Sequence, residues 1–366
     1  MRILYLSHIS WNWIFQRPQL LALFLERDFD CTVLNKKYVL GHHISRNNVF
    51  PRKIKNVYLL PKANQIRPFA QINDFIYRQY VKQCRNYDVI WVCYPGLYQF
   101  IPGNYEGKIV YDCMDNHVAM SSEENRDCLY KEEQKLIERA DLIFVTSEKL
   151  RTIIPNLGKG ILVRNGYQNK VAALPIKKPN VKSKYVIGYF GTISADWFDF
   201  SLLQNGIPDF PCIEYKLLGP TEKGIRYDSF GSHIIFEGVV EHDELGEYIS
   251  DYDALIMPFK LNDIILSVDP VKLYEYINFG KCIISIWYPE IERFEPFVYF
   301  YHNTNEYVRL LGELCKKGFP AKYDENQRKD FLKDNTWEER YRVVKTSIDD
   351  RLGERNADYE DASTCE

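Results

Sequence analysis

The sequence lacks the residue patterns that identify several common protein classes. Its nine cysteines include no C-x-x-C pair and its seven histidines include no H-E-x-x-H motif, so the sequence predicts neither a zinc ribbon nor a zinc-protease helix. No run approaches the ~20 apolar residues that span a bilayer. The opening residues, MRILYLSHIS, lack the long apolar core of a signal peptide. We therefore expect a cytoplasmic protein without a metal site.

The length of the chain indicates its number of domains, and its charge limits the partners that it can bind. The chain has 366 residues and a formal net charge of -3. One hydrophobic core rarely organises so many residues, so two domains are the natural expectation. A chain with this charge is not built as a whole to bind a polyanion, and it contains no DNA- or RNA-binding motif. We expect no nucleic-acid partner.

Short apolar runs alternate with helical patterns along most of the sequence. The alternation begins at residue 2, stops near residue 166 and restarts at residue 185, which predicts an α/β protein with two parallel sheets and a ligand-binding cleft between them. The predicted organisation consists of a first domain 1–167, a linker 168–184 rich in Lys and Pro, a second domain 185–335, a helix 336–348 that packs on the first domain, and a disordered acidic tail 349–366.

The segment LSVDPVKLYEYINFGK at 266–281 carries the strongest chemical signal. Asp269 is a good N-cap and Pro270 fits the first helical position, so a helix is predicted to begin there. A helix N-terminus and the charge of Lys272 together suit a diphosphate. Glu275 lies one turn further along and could accept hydrogen bonds from ribose hydroxyls. The alternative is a solvated Lys–Glu pair on an ordinary surface helix.

Several segments resemble those of GT-B glycosyltransferases. The segment SVDPVKLYEYINFGKCIIS is similar to their Pro-x-Lys-x-x-Glu-Tyr donor motif, and SHISWNWIFQRPQLLA resembles the W-x-x-R-P-Q entry helix of bacterial exopolysaccharide and teichuronic-acid-type enzymes. YVIGYFGTISADWFDFSLL resembles the first strand and phosphate-side loop of their second domain, and VYDCMDNH resembles their Asp-rich loop. The resemblance covers residues 1 to about 340. It implies two Rossmann-like domains that face each other across a cleft.

The resemblance also implies where a nucleotide-sugar donor binds. The donor residues are Asp269, Pro270, Val271, Lys272 and Glu275 on the predicted helix, with Gly191 and Thr192 at the end of a strand of the same domain. UDP is the first choice of nucleotide, with GDP and dTDP as alternatives. Many relatives of family 4 carry Glu-x7-Glu here, but Ser267 replaces the first glutamate. Retaining stereochemistry is therefore not assigned.

The first domain is predicted to supply the catalytic base and the acceptor contacts. A carboxylate that removes a proton from the acceptor hydroxyl fits the end of the strand KIVY, where Asp115 is the first choice and Asp112 the second. His117 is close enough in sequence to assist. The alternative is that both aspartates only cap a turn and a helix.

Three residues near the first strand complete the predicted acceptor site. His8 follows that strand, Trp13 could stack on a sugar ring, and Arg17 could bind an anionic group of the acceptor. Two alternatives are equally good: Trp13 only packs the loop, and His8 has only a structural role.

The stretch 36–85 has an unusual charge. It contains eleven Lys or Arg residues and one acidic residue, Asp74, a net charge of +10, with seven interleaved aromatic residues. Such a surface fits anionic lipid head groups or a lipid-diphosphate acceptor. We expect the protein to lie peripherally on the inner face of the plasma membrane. A solvated basic face is the alternative.

These observations predict a metal-independent glycosyltransferase that moves a sugar from a nucleotide donor to a glycan, with a lipid-linked acceptor, in cell-surface polysaccharide synthesis. No cofactor is expected. A metal-dependent GT-A enzyme needs Asp-x-Asp after a strand, whereas Asp28-Phe-Asp30 and Asp251-Tyr-Asp253 precede predicted strands. The alternatives that stay open are a sugar-nucleotide epimerase of the same fold and a non-catalytic scaffold subunit of a polysaccharide assembly complex.

Overall fold

The computed structural model divides the chain into two α/β units. The first comprises Met1–Arg164 together with the C-terminal segment that begins at Arg340, and the second comprises Asn165–Glu339. The structure describes residues 1–12, 15–39, 49–63, 66–155, 159–168, 171–222 and 230–353. Each unit is built on one parallel sheet, so the predicted fold class, α/β with two Rossmann-like domains, is confirmed.

The first unit contains a seven-stranded parallel sheet. Its strands are β1 (Arg2–Leu6), β2 (Asp30–Tyr38), β3 (Ile54–Leu59), β4 (Val89–Val92), β5 (Lys108–Cys113), β6 (Leu142–Val145) and β7 (Gly160–Leu162). Their spatial order is β3-β2-β1-β4-β5-β6-β7. Every residue of β4 and β6 is buried, as expected for strands that are covered on both faces of a parallel sheet.

Helices connect these strands. They are α1 (Arg17–Asp28), α2 (Arg67–Val81), α3 (His117–Met120), α4 (Glu123–Arg139) and α5 (Glu148–Arg151). α1 begins with a capping box in which Gln16 and Gln19 exchange side-chain and backbone hydrogen bonds. α4 has acidic residues in its first turn and Arg139 in its last turn, an arrangement that complements the helix dipole.

The second unit contains a six-stranded parallel sheet. Its strands are β8 (Tyr185–Phe190), β9 (Ile213–Leu218), β10 (Ile234–Gly238), β11 (Ala254–Met257), β12 (Cys282–Ile286) and β13 (Tyr299–Tyr301), in the order β10-β9-β8-β11-β12-β13. The helices are α6 (Phe200–Gly206), α7 (Leu245–Ser250), α8 (Val271–Asn278), α9 (Thr304–Lys317), α10 (Glu325–Asp334) and α11 (Trp337–Leu352).

Both sheets reverse their strand order at one place. In the first unit β1 lies between β2 and β4, and in the second unit β8 lies between β9 and β11. In an open parallel sheet, ligands bind outside the carboxyl ends of the strands at such a reversal point. The loops that follow β1 and β4, and those that follow β8 and β11, are therefore the places to look for ligand-binding side chains.

The segments between and after the sheets differ in part from the predicted boundaries. The units divide between Arg164 and Asn165, and the described part of the predicted linker packs on the second unit. Its Leu174 carbonyl accepts a hydrogen bond from Arg328 at 2.5 Å. The predicted tail is helical as far as Leu352, and residues 354–366 lie outside the described residues.

The last helix, α11, belongs to both units. Its residues from Arg340 onward are part of the first unit. Tyr341 packs on Phe24 of α1 with ring centroids 5.2 Å apart, and its hydroxyl donates to Asp28 at 2.7 Å. These contacts hold the C-terminal part of the helix on α1. Among the described residues, no helix has both the length and the apolar character needed to cross a membrane.

Candidate active site

The predicted donor residues of the second unit gather at its reversal point. Gly191 follows β8, Phe259 follows β11 by two residues, and α8 begins at Val271. Lys272, in the first turn of α8, reaches towards Gly191, because a Cβ atom placed on that glycine would overlap Cε of the lysine. The fold therefore brings together two donor-site residues that are 81 positions apart in sequence.

The Lys272 ammonium group lies over two aromatic rings. Nζ is 5.6 Å from the centroid of Tyr189 and 5.8 Å from that of Phe259. Within the described residues no hydrogen bond or salt bridge of this group is found, although Glu275 attracts it electrostatically. Burial lowers the pKa of Lys272, and the attraction of Glu275 only partly opposes that shift. A partly buried cation in this position is ready to accept an anion.

The loop after β8 leaves its backbone open to a ligand. Gly191 has a φ angle of 125°, a conformation that side chains with a Cβ rarely adopt. The following residue, Thr192, is exposed, and its carbonyl accepts a hydrogen bond from Tyr189 at 2.9 Å. The first N–H groups of α8 have no partner within the helix. The loop and the start of the helix thus offer an anionic ligand three features: the backbone of a glycine, amide groups that have no partner within the helix, and one cation.

Glu275 has a partner that the sequence did not reveal. His242, in the loop between β10 and α7, places Nε2 at 2.6 Å from Oε1 of the glutamate. The glutamate side chain is 12% exposed and the histidine side chain 46% exposed. The carboxylate is therefore held at the surface of the site and is not freely solvated.

Asp269 has a different role from the predicted one. The helix N-cap is Pro270, which makes no side-chain cap hydrogen bond, and α8 begins one residue later than predicted. The carboxylate of Asp269 is fully buried, forms an ion pair with Arg293 and accepts a hydrogen bond from the backbone of Asn165 at 2.6 Å. An aspartate enclosed in this way fixes the chain before α8 and does not face a ligand.

A cavity of about 490 Å³ opens beside the donor residues in the second unit. Its wall is formed by the end of β9 and by β10, with Gly219, Thr221, Phe236, Gly238 and Val239 among the lining residues. Gly219 also lies against Gly191, since a Cβ atom on Gly219 would overlap the Gly191 carbonyl oxygen. The volume falls in the range of small-molecule pockets.

In the first unit, three aromatic rings from three strand ends meet at the reversal point. His8 follows β1, Tyr94 follows β4 and His117 begins α3 after β5. The His8 ring stacks on Tyr94 with centroids 5.5 Å apart and meets the edge of the His117 ring at 5.3 Å. The structure thus brings together the two histidines predicted at the acceptor site and adds Tyr94, which the sequence did not suggest.

Both histidines keep one ring nitrogen without a partner. Within the described residues, neither Nδ1 of His8 nor Nε2 of His117 has a hydrogen-bond partner, although both atoms are buried. Burial lowers the pKa of His8 to about 3, with repulsion from His117 as the next cause, and burial lowers the pKa of His117 to about 4. Both rings are therefore neutral at physiological pH, and each can offer a ligand a hydrogen bond but not a charge.

Asp112 and Arg17 form a buried ion pair. The Arg17 guanidinium donates to both carboxylate oxygens of Asp112, at 2.7 to 3.1 Å, and also to the carbonyl of Val163 at 2.9 Å. Arg17 is 4% exposed and Asp112 is 0% exposed. The predicted acceptor contact of Arg17 and the second-choice base role of Asp112 do not fit this geometry, because neither group reaches the surface. The pair instead ties α1 to β5 and β7.

Asp115 stands apart from that pair. It lies in the loop between β5 and α3 and is partly buried. The pKa of its carboxyl group is raised to about 7, mainly by burial, which outweighs the attraction of Arg17, and to a smaller extent by repulsion from Asp112. A carboxyl group that titrates near neutral pH is well matched to general-base chemistry. Asn116, and not Asp115, caps the short helix α3 by accepting a hydrogen bond from Ala119.

The tryptophans of the first loop differ in what the structure shows. Trp11 is 1% exposed, and its ring nitrogen donates to the carbonyl of Val49 at 2.8 Å, so it packs the loop. Trp13, the predicted sugar-stacking residue, lies outside the described residues.

The aspartates of the two Asp-x-Asp pairs lie at the amino ends of strands. Asp30 is the first residue of β2, and Asp253 immediately precedes β11 and pairs with Lys182 at 2.7 Å. Across the described ranges, no group of three or more His, Cys, Asp or Glu side chains has the arrangement of a metal site.

The chain is similar to known glycosyltransferases in sequence and in fold. No family model matches it. It is 22% identical over 281 residues, 70% of each chain, to TuaH of Bacillus subtilis (strain 168), which is provisionally named as a teichuronic acid biosynthesis glycosyltransferase.

Solved structures match almost the whole chain, and HepE and WaaB are two examples. HepE of Anabaena in complex with UDP has a TM-score of 0.67 at 12% identity, and the match covers 96% of this chain and 100% of HepE. The lipopolysaccharide outer core galactosyltransferase WaaB, in its apo form, has a TM-score of 0.65 at 10% identity, and the match covers 95% of this chain and 99% of WaaB. The chain therefore has the GT-B fold, as its sequence resemblance to GT-B glycosyltransferases predicted.

Proposed function

We propose that the protein is a glycosyltransferase that moves a sugar from a nucleotide-sugar donor to a glycan acceptor in cell-surface polysaccharide synthesis. The observation that carries the proposal is the position of Lys272. This residue lies in the first turn of α8, beside the backbone of Gly191. It is a partly buried cation without a hydrogen-bond or salt-bridge acceptor among the described residues. Similarity to TuaH and to a UDP-bound GT-B structure supports it.

The second unit binds the donor in this proposal. Lys272, the first amides of α8 at Val271 and Lys272, and the backbone of Gly191 and Thr192 hold the diphosphate, whose negative charge they neutralise. Glu275 accepts hydrogen bonds from ribose hydroxyls. The cavity beside Gly219 is large enough for a nucleoside. UDP is the first choice of nucleotide, with GDP and dTDP as alternatives.

The first unit supplies the base. The Asp115 carboxylate takes the proton of an acceptor hydroxyl, whose oxygen forms a bond to the anomeric carbon of the donor sugar. The bond between that carbon and the phosphate oxygen breaks, and its electron pair leaves with the nucleoside diphosphate. Lys272 stabilises the charge that develops on the leaving phosphate. The unpartnered ring nitrogens of His8 and His117 bind acceptor hydroxyls.

The same electrostatic role explains why we propose metal independence. A diphosphate leaving group needs positive charge close to its oxygens, and GT-A enzymes obtain it from a divalent ion. Here the ammonium group of Lys272 and the amino end of α8 would supply that charge. We also propose that no cofactor takes part, since the nucleotide sugar itself is the activated substrate.

The outer face of α2 supports the proposed contact with an anionic membrane. Phe75 and Ile72 are 64% and 45% exposed, one turn apart on this helix. Arg67, Arg78 and Lys82 are exposed beside them. An apolar ridge flanked by basic residues is typical of helices that lie in a membrane interface. We propose that α2 is the part of the 36–85 stretch that rests on the bilayer and brings the protein to a lipid-linked acceptor on the inner face of the plasma membrane.

Three other basic residues of the stretch are less available than those of α2. Lys53 pairs with Asp30 at 2.5 Å, and the backbone of Arg52 donates to Glu26 at 2.6 Å. Lys36 lies 5.0 Å from the ring centroid of Tyr77, which is itself buried. Such paired or buried cations gain less from an anionic surface than the exposed cations on and beside α2 do.

Vesicle sedimentation tests the membrane contact. Replacement of Arg67, Arg78 and Lys82 by Glu should release the protein from anionic vesicles, and binding of the wild type should fall as salt rises, because each basic residue contributes about 1 kcal/mol that salt screens. A matched control reverses three exposed lysines of the second unit, Lys178, Lys184 and Lys329. Equal release by both triple variants would show that only net charge matters.

A nucleotide-release assay tests the enzymatic function. The protein is incubated with a panel of UDP-, GDP- and dTDP-sugars, with and without a membrane extract that contains lipid-linked glycans. Release of nucleoside diphosphate only when the extract is present is the expected result. Conversion of the sugar without an acceptor would favour an epimerase, and no turnover with any donor would favour a scaffold subunit.

A further inference from the structure

His242 and Glu275 form a contact at the edge of the donor residues that the proposed function does not yet use. His242 belongs to the loop between β10 and α7, whereas Glu275 belongs to α8. Nε2 of the histidine lies 2.6 Å from Oε1 of the glutamate. Two separate segments of the second unit are thus joined by one short hydrogen bond.

The contact leaves the second carboxylate oxygen of Glu275 available. Within the described part of the chain, the contact with His242 is the one hydrogen bond of this carboxylate, and it uses Oε1. The glutamate side chain is only 12% exposed, and it attracts the Lys272 ammonium group one turn earlier in the helix. The Glu275 carboxylate therefore lies close enough to the Lys272 cation to attract it, and its oxygen Oε1 is held by the histidine.

We propose that His242 is a positioning residue for donor binding, which holds the Glu275 carboxylate so that Oε2 accepts a hydrogen bond from a ribose hydroxyl of the nucleotide. The inference rests on the proposed function. A carboxylate that is already held loses less side-chain freedom when the ligand binds, so the preorganised contact raises affinity. The histidine acts through the glutamate and contributes nothing to the diphosphate.

A second exposed histidine–glutamate pair in the same unit offers a matched control. Nδ1 of His302 lies 2.9 Å from Oε2 of Glu306, and the two side chains are 58% and 35% exposed. That pair lies after β13 at the start of α9, and it does not involve α8. If His242 formed only a surface pair of this ordinary kind, loss of either histidine would have the same negligible effect on nucleotide affinity.

The experiment is a calorimetric titration with two probes. The first probe is whichever of UDP, GDP and dTDP binds the wild-type protein most tightly, and the second is its 2′,3′-dideoxy analogue. His242→Ala should weaken the first probe about 3–10-fold, in proportion to one lost hydrogen-bond contact, and should leave the dideoxy analogue unchanged. His242→Gln should recover most of the affinity, because its amide can donate to the carboxylate. His302→Ala should change neither probe.

A double variant separates positioning from a direct effect. In a Glu275→Ala background, His242→Ala should have no further effect on affinity, because residues that act as one unit are not additive. Unchanged affinity in His242→Ala, an equal loss for both probes, or additive losses in the double variant would each overturn the inference. If the wild type binds none of UDP, GDP and dTDP, the donor assignment itself fails. If Lys272→Ala weakens binding while His242→Ala does not, only the inference about His242 fails.

Discussion

Replacing Asp115 by Asn should change the stability and the activity of the protein in opposite directions. Burial raises the pKa of this carboxyl group to about 7, whereas an aspartate in an unfolded chain titrates at about 3.9. Between these values the folded protein binds the proton more tightly than the unfolded chain does. The carboxyl group therefore stabilises the fold at low pH, and this contribution is lost as pH rises through 7.

The size of the effect follows from the two pKa values. Between about pH 5 and about pH 8, the wild-type protein should lose about 2–3 kcal/mol of unfolding free energy from this one group, at 1.36 kcal/mol for each pKa unit. Asparagine cannot ionise, so Asp115→Asn lacks this pH-dependent term. The stability of the variant relative to wild type should therefore increase by about 2–3 kcal/mol from the lower pH to the higher.

Urea denaturation of both proteins at the two pH values measures this difference directly, since effects of all other titrating groups cancel in the comparison. Asp141→Asn is a useful control, because a hydrogen bond from Lys108 leads the interactions that lower the pKa of Asp141 despite its burial. This group is ionised in the folded and the unfolded states at both pH values, so its replacement should leave the stability difference between them unchanged. A transfer assay on the same Asp115→Asn sample should show slow turnover. If the variant and the wild type lose stability in parallel between the two pH values, Asp115 is ionised throughout and has no raised pKa. In that case it is not the base we propose.

Two further predictions concern the first unit and the metal. Arg17→Ala should destabilise the protein by about 3–5 kcal/mol in denaturant titration, because it leaves the buried carboxylate of Asp112 without its partner; a change below about 1 kcal/mol would contradict the buried ion pair. Turnover should survive EDTA, because Lys272 and the amino end of α8 supply the positive charge. A loss of turnover that manganese or magnesium restores would contradict metal independence.

Much of the fold could be predicted from the sequence because buried parallel strands have short, nearly continuous apolar sequences. Strands such as β6 and β11 are buried along their whole length, and their apolar composition therefore shows the burial directly. The donor helix was predicted to begin one residue too early. The position of Asp269 in the sequence is typical of a helix N-cap, but its carboxylate accepts a hydrogen bond from Arg293, which is 24 positions away. A local pattern cannot reveal a partner that distant.

The same reason explains the errors and omissions at the candidate site. Asp112 and Arg17 are separated by 95 positions, and only the folded sheet shows that they neutralise each other. His242 is separated from Glu275 by 33 positions and carries no motif of its own. Tyr94 was not predicted because an aromatic residue after a strand is common. What the sequence can indicate is how residues within one local segment, such as Lys272 and Glu275, lie relative to each other, because their spacing on a helix fixes that relationship. Their proposed roles in donor binding stay predictions.

Calorimetric titration of UDP, GDP and dTDP into wild-type protein and Lys272→Ala tests the central claim most directly. We expect one of the three nucleotides to bind the wild type at a single site, and the variant to bind it with a loss of about 1.5–3 kcal/mol, the usual contribution of a hydrogen bond to a charged group. Circular dichroism should show that the variant remains folded, since the ammonium group makes no hydrogen bond to the described protein residues. Equal affinity of the folded variant and the wild type, or no binding of any of the three nucleotides, would contradict the assignment of α8 and the loop at Gly191 as the donor site.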